Sequence, residues 1–160
     1  MKILFLDFDG VLHPFNVRFS ESLELALISE DKSLSLFCWA HLLESILDDE
    51  YPQGQIKIVL STTWGHRYGL KEAAKRLTTG LQSRVVGGTI GYPQSRGRQI
   101  EQHVEDMSIS IKDWIAIDDD DYLWPKHLSQ KLVKTDDNLG LSEKSTQQYL
   151  RLKLKELLLS

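Results

Sequence analysis

At 160 residues, with 41% hydrophobic and 26% charged side chains, the chain has the size and make-up of one globular domain, neither disordered nor collagenous. Its single cysteine, Cys38, excludes an internal disulfide framework and any cysteine-cluster zinc site. A net charge of −4 leaves no global basic field for nucleic acid or an anionic membrane.

The acid is unevenly placed: residues 1–60 carry 4 basic and 10 acidic side chains, residues 61–160 carry 15 and 13, so an anion-binding patch is expected from the second part. The N-terminus is apolar only through Leu6 before Asp7 and Asp9 interrupt it. That run is too short and too charged for a signal peptide or a spanning helix, so a cytoplasmic protein without membrane contact is expected.

Lys2–Asp7 reads as a strand buried on both faces, because its apolar run is continuous until Asp7. A polar, irregular stretch follows. The spacing of Leu36, Ala40, Leu43 and Leu47 predicts a helix over Leu34–Leu47, with Cys38 a small core residue on its apolar face and His41 structural; Asp48–Gln55, containing Pro52 and Gly54, ends it. Ile56–Leu60 is a second strand that stops at Ser61-Thr62-Thr63. Gly69–Leu81 reads as a short helix with Gly80 as its C-terminal signal, Val85–Gly88 as an edge strand, and Gly97–Met107 as a further helix. Trp114–Ile117 is a third strong strand, Lys131–Lys134 a fourth, and Ser142–Leu158 a closing amphipathic helix. Strands alternating with helices predict an α/β domain over residues 1–160, a parallel sheet with helices on both faces. Ligands in such sheets sit beyond the carboxyl ends of the strands, and here those ends carry Asp or Ser/Thr.

Asp7 and Asp9 leave the first strand two residues apart, with Gly10 turning the backbone away. Such a pair suits nucleophilic attack on phosphorus with proton transfer to the leaving group, or magnesium binding. Asp118–Asp121 follows the third strand, and a divalent cation would relieve the repulsion among four adjacent acids. Each segment also has a plainer reading alone: an Asp-Gly turn, a solvated acidic loop, a helix cap at Ser61–Thr63, ordinary surface charge at Arg96 and Arg98. Together the acids make a magnesium site the better explanation, with hydroxyls and amides at Ser61–Thr63 and a guanidinium at Arg96-Gly97-Arg98 facing a phosphoryl group. His13 and His66 are placed to line the site mouth, and the five histidines form no metal-spaced pair. Glycine-loop nucleotide motifs and the G-x-S-x-G elbow are missing.

The ordered segments F-L-D-F-D-G-V, I-V-L-S-T-T, R-G-R and I-A-I-D-D resemble the four motifs of the haloacid-dehalogenase (HAD) superfamily, within residues 3–121. The resemblance implies a HAD-like, Rossmann-like fold, a Mg2+ cofactor and phosphoryl transfer through an aspartyl-phosphate. Carried over, Asp7 is the nucleophile, and Asp9 is the general acid/base that also offers its backbone carbonyl to the metal. Thr62 or Ser61 is the hydroxyl residue, with Thr62 favoured; Arg96 or Arg98 stands where many relatives carry Lys; Asp118 and Asp119 lie near magnesium. The metal set is then Asp7, Asp9, Asp118 and Asp119. An acid two residues after the nucleophile goes with the phosphatases of the superfamily. More narrowly, S-T-T-W, R-G-x-x-I, I-D-D-D-D and N-L-G-L-S resemble the HAD domains of Swiss Army Knife RNA-repair proteins.

Residues 14–55 and 63–95 leave no room for a sizeable cap domain, so the expected site is open and suits a bulky or macromolecular phosphate ester. The expected activity is that of a magnesium-dependent phosphatase. Alternatives are a nucleic-acid end-processing domain, with Lys71, Lys75, Arg76, Arg84, Arg96 and Arg98 as a local track if they share a face, or a phospho-accepting signalling module.

Overall fold

A computed structural model describes residues 1–21, 24–50, 54–92 and 94–160. In chain order the elements are β1 (Lys2–Leu6), β2 (Val17–Phe19), β3 (Leu25–Leu27), α1 (Ala40–Glu50), β4 (Ile56–Leu60), α2 (Thr63–Tyr68), α3 (Leu70–Ala74), α4 (Thr79–Arg84), β5 (Val85–Gly88), α5 (Arg96–Asp106), β6 (Trp114–Asp118), β7 (Leu132–Lys134) and α6 (Lys144–Leu159). Short 3-10 turns lie at Ile111–Asp113, Lys126–Lys131 and Gly140–Ser142.

The five long-range strands form a parallel sheet in the order β5-β4-β1-β6-β7, with β1 central. Successive residues of a strand face opposite sides, and both sides of β1 are covered. Leu4 and Leu6 join a core with Leu43 and Leu47 of α1, Ile58 and Leu60 of β4, and Leu150 and Leu154 of α6. Ile3 and Phe5 join a second core with Val59, Ile100 of α5, Trp114, Ala116 and Leu128. Burial on both faces explains why the strands read as unbroken apolar runs rather than alternating ones. The Rossmann-like α/β architecture is the one expected.

From β1 the chain builds outward through β4 and β5, then crosses to β6 on the other side. The direction therefore switches between β1 and β6, where open α/β sheets place their ligand crevice. No sizeable cap covers that edge among the described residues. The irregular stretch after β1 instead contains a small antiparallel ribbon, β2 with β3, that the polar composition did not reveal.

Two helices differ from the expected spans. The helix expected over Leu34–Leu47 begins only at Ala40, because Phe37 has φ 60° and turns the chain out of a helical path. Leu34, Leu36, Phe37 and Cys38 still pack on the core, so their apolar character is satisfied from turns. His41 is exposed on α1, and that helix runs through Glu50; the expected stop at Pro52 lies outside the described residues. The helix expected over Gly69–Leu81 is two, α3 and α4, separated by turns. Thr78 caps the second by accepting from the Leu81 N–H, so Gly80 lies inside α4 rather than ending a helix. No helix among the described residues is long and apolar enough to cross a membrane.

Candidate active site

The strand register assembles the site. Leu6 pairs with Leu60 on one side and Ile117 on the other, and Ile117 pairs with Val133. The next residue of each strand therefore shares one level: Ser61, Asp7, Asp118 and Lys134. The Asp7 N–H donates to the Ile117 carbonyl at 3.2 Å, and the Thr135 N–H to the Asp118 carbonyl at 3.0 Å, so backbone pairing continues past the strand ends.

Asp7, Asp118 and Asp119 offer carboxylate oxygens that all lie within 4.8 Å of one another. Arg96, at the start of α5, reaches into the cluster: its Nη2 stands 3.3 Å from Asp7 Oδ1 and its Nε 2.9 Å from Asp118 Oδ2. The second contact is a charge pair whose N–H does not aim at the oxygen, which leaves both atoms buried without a hydrogen-bond partner. Burial pushes Asp7 up from 3.8 to about 6, against the pull of Arg96 and with a further push from Asp9. Burial and then the charge of Asp7 raise Asp118 well above the usual carboxylate range and lift Asp119 to about 7. Burial also opposes the charge of Arg96, but Asp7, Asp118, Asp120 and Asp119 outweigh it and hold the guanidinium above its ordinary value.

Ionised together, three carboxylates against one guanidinium would leave two negative charges in a largely buried cluster, and a divalent cation matches that excess. The orphaned Asp118 Oδ2 and the all-oxygen donor set fit Mg2+, which takes one or two protein carboxylates and fills its octahedron with water and phosphate oxygens. Gly10 is needed for the approach: with φ +72°, it sits where any Cβ would overlap the Asp119 carboxylate. Gly97 serves Arg96 in the same way. A Cβ there would come within 2.7 Å of Pro125 and 2.9 Å of Trp124, so only glycine lets the start of α5 lie against that loop.

Asp9 stands apart from this triad. Its Oδ1 accepts from His13 Nε2 at 2.9 Å and from Trp64 Nε1 at 2.9 Å. Thr62 is buried; its side chain slightly favours the ionised form of Asp7, and its hydroxyl accepts from the Trp64 N–H at 3.4 Å, capping α2. Ser61 is wholly buried with its hydroxyl unpartnered, and of the Ser61–Thr63 segment it is Thr63, not singled out by the motif spacing, that lines the cavity. Arg98 points elsewhere: exposed, it pairs with Glu101 at 2.5 Å. His13 lies wholly buried beneath Asp9 rather than at the mouth, and His66 is exposed on α2 outside the cavity lining.

The cavity above the cluster has a volume of about 590 Å³ and is lined by Asp7, Asp9, Arg96 and Asp119, with Phe15 and Lys134 at its sides. Lys134 Nζ donates to the Asp119 carbonyl at 2.7 Å and pairs with Asp121 at 3.2 Å, bracing the acidic loop. Thr135, Asp136 and Asp137 complete the wall. Sequence reasoning missed this last group, although hydrogen bonds tie it to the chain that leaves β1: Thr135 Oγ1 donates to the Gly10 carbonyl at 2.7 Å and the Phe15 N–H to the Asp137 carbonyl at 2.9 Å. Of the six cations of the expected basic track, Arg96 is inside the site and Arg84 is buried against Asp48 at 2.7 Å, so these two face different carboxylates.

A family model described as the HAD domain in Swiss Army Knife RNA repair proteins matches residues 3–146. No curated protein and no solved structure matches the chain. The match runs from Ile3 in β1 through β7 and takes in every residue of the acidic cluster. The chain belongs to the family of HAD domains found in Swiss Army Knife RNA repair proteins.

Proposed function

We propose that the chain is a magnesium-dependent phosphatase that hydrolyses a phosphomonoester through an aspartyl-phosphate on Asp7. The observation that carries this reading is the placement of two carboxylates of different character on one open cavity: Asp7 in a charge cluster with Arg96, and Asp9 on a separate pair of ring nitrogens, those of His13 and Trp64. Asp7, Asp118 and Asp119 would hold Mg2+, which when bound supplies charge neutralisation for the transferring phosphoryl group. Asp7 keeps a carboxylate oxygen for in-line attack on phosphorus, and Arg96 balances the charge on both nucleophile and phosphate. Asp9 gives a proton to the departing oxygen, then takes one from the water that cleaves the acyl phosphate. Thr62, buried next to Asp7, favours its ionised form, and Thr63 offers a hydroxyl from the cavity wall.

An uncapped cavity of about 590 Å³ suits a phosphate carried on a bulky molecule, which needs no enclosure by the protein. A second reading, processing of phosphorylated nucleic-acid ends, is favoured by the family description, so phosphorylated RNA ends are the first macromolecular substrates to assay. Phosphate release should be measured on aryl phosphates, nucleotides, phosphopeptides and phosphorylated oligonucleotides, with magnesium and with a chelator. Release that needs magnesium, disappears in Asp7→Asn and passes through an acid-stable, hydroxylamine-labile phosphoprotein supports the reading. Undiminished turnover in Asp7→Asn refutes it.

A further inference from the structure

We propose that His13 and Trp64 are positioning residues for Asp9: together they occupy one carboxylate oxygen and leave the other to exchange the proton with substrate. The inference rests on the phosphatase reading and adds two residues to it.

Both donors converge on the same atom. His13 Nε2 and Trp64 Nε1 each lie 2.9 Å from Asp9 Oδ1. The role of His13 follows from its other nitrogen, because Nδ1 accepts the Phe37 N–H at 3.1 Å. An Nδ1 that accepts leaves the ring proton of neutral His13 on Nε2, so His13 is a donor to Asp9. Phe37 reaches this position with φ 60°, a conformation rare for a bulky residue and retained only when its surroundings demand it. His13 is 0% and Trp64 1% exposed, so neither ring is free to move. The rings of Phe8, His13, Phe37 and Tyr68 pack around Trp64 with centroids 5.2–6.2 Å away.

A carboxylate oxygen has two lone pairs in its plane, and two N–H donors take both at Oδ1. The proton of the acid form then sits on Oδ2, which has no hydrogen-bond partner among the described residues, on a side chain that lines the cavity. In the first step an Asp7 oxygen bonds to phosphorus and the ester P–O bond breaks. Its electron pair stays on the leaving oxygen, which receives the Oδ2 proton. In the second step water gives its proton back to Oδ2 as its oxygen bonds to phosphorus, and the P–O bond to Asp7 breaks. Neither His13 nor Trp64 touches the reacting atoms; they set which oxygen of Asp9 does.

The test compares two phosphate esters. An aryl ester with a strongly acidic phenol leaves without a proton, whereas an alkyl ester needs one. Trp64→Phe and His13→Asn each remove one donor; asparagine keeps an acceptor near the Nδ1 position for the Phe37 N–H, and His13→Gln restores a donor near Nε2. Folding is checked by thermal melting. With general acid catalysis contributing about 10²–10⁴-fold, each donor-removing variant should lose at least about tenfold more kcat on the alkyl than on the aryl ester, and His13→Gln should recover most of the difference. Equal losses on both esters, or none, in whichever variants fold would overturn the positioning role while leaving the phosphatase reading intact. A wild-type chain inert toward both esters and toward phosphorylated RNA ends would overturn the phosphatase reading and this inference with it.

Discussion

Replacing Asp7 with asparagine should make the metal-free protein more stable while removing its chemistry. Asp7 is buried, and its carboxyl titrates at about 6 rather than 3.8. A folded-state value above the unfolded one means that folding favours the protonated form. The resulting stability is fully present below about pH 4 and is lost as pH rises through about 6. At about pH 8 the ionised side chain therefore costs about 3 kcal/mol relative to a neutral one. Asparagine has nearly the same shape and carries no charge, so it should recover most of that. In a domain of this size, 1 kcal/mol moves the melting point by about 2–4 °C, which makes the expected gain about 6–12 °C with a chelator present. Near pH 4.5 the gain should shrink to about 1 kcal/mol, or about 2–4 °C, because folded Asp7 is then mostly protonated while the unfolded side chain is still mostly ionised. Millimolar magnesium should raise wild type more than the variant, closing the gap, since Asp7→Asn lacks one of three ligands. Differential scanning calorimetry at the two pH values, with chelator and with magnesium, measures all four melting points. A variant no more stable than wild type at the higher pH, or equally more stable at both, would refute the account of Asp7 as a strained, cation-seeking carboxylate.

The stabilisation that magnesium confers on wild type should itself grow as pH rises through about 6 to about 7, where Asp7 and Asp119 lose their protons, as followed by thermal shift at fixed metal concentration. Arg96→Ala should cost about 3–5 kcal/mol without metal, because it strands buried Asp7 and Asp118, and should abolish phosphate release; Arg98→Ala, at an exposed pair with Glu101, should stay within about 0.5 kcal/mol in urea unfolding. Gly10→Ala should weaken magnesium binding in calorimetric titration more than tenfold, because its methyl group displaces Asp119 and its φ of +72° is left-handed. A chelator should abolish phosphate release, with activity returning on added magnesium.

Much of this was legible in the chain. Runs such as Ile56–Leu60 and Trp114–Ile117 are apolar on both faces, which only a covered parallel sheet satisfies, and their ends carry the polar residues that the switch between β1 and β6 brings together. Asp7, Asp118 and Asp119 stand where motif spacing put them because each is the first residue past, or the last within, a strand whose length the apolar run defines. Leu34–Leu47 misled because helical spacing also fits turns that bury their apolar side chains without a helix, and no local signal announces the left-handed Phe37. Thr135–Asp137 escaped for another reason: only long-range hydrogen bonds to Gly10 and Phe15 make them part of the cavity.

Strand identity and which acids close each strand were determined locally, by the contrast of apolar run and charged stop. The choice between Arg96 and Arg98 was not, since both sit on the same helix two residues apart and differ only in the face they occupy once α5 docks. The partners of Asp9 were equally hidden: His13 read as a residue of the site mouth, and nothing in the chain marked the Trp64 indole as a donor, although both rings are buried. Only packing, which brings Trp64 to Asp9 across 55 residues of chain, turns an apolar ring into a hydrogen-bond donor at the site. Side-chain direction and distant contact depend on how helices settle on the sheet, and no stretch of chain specifies that by itself.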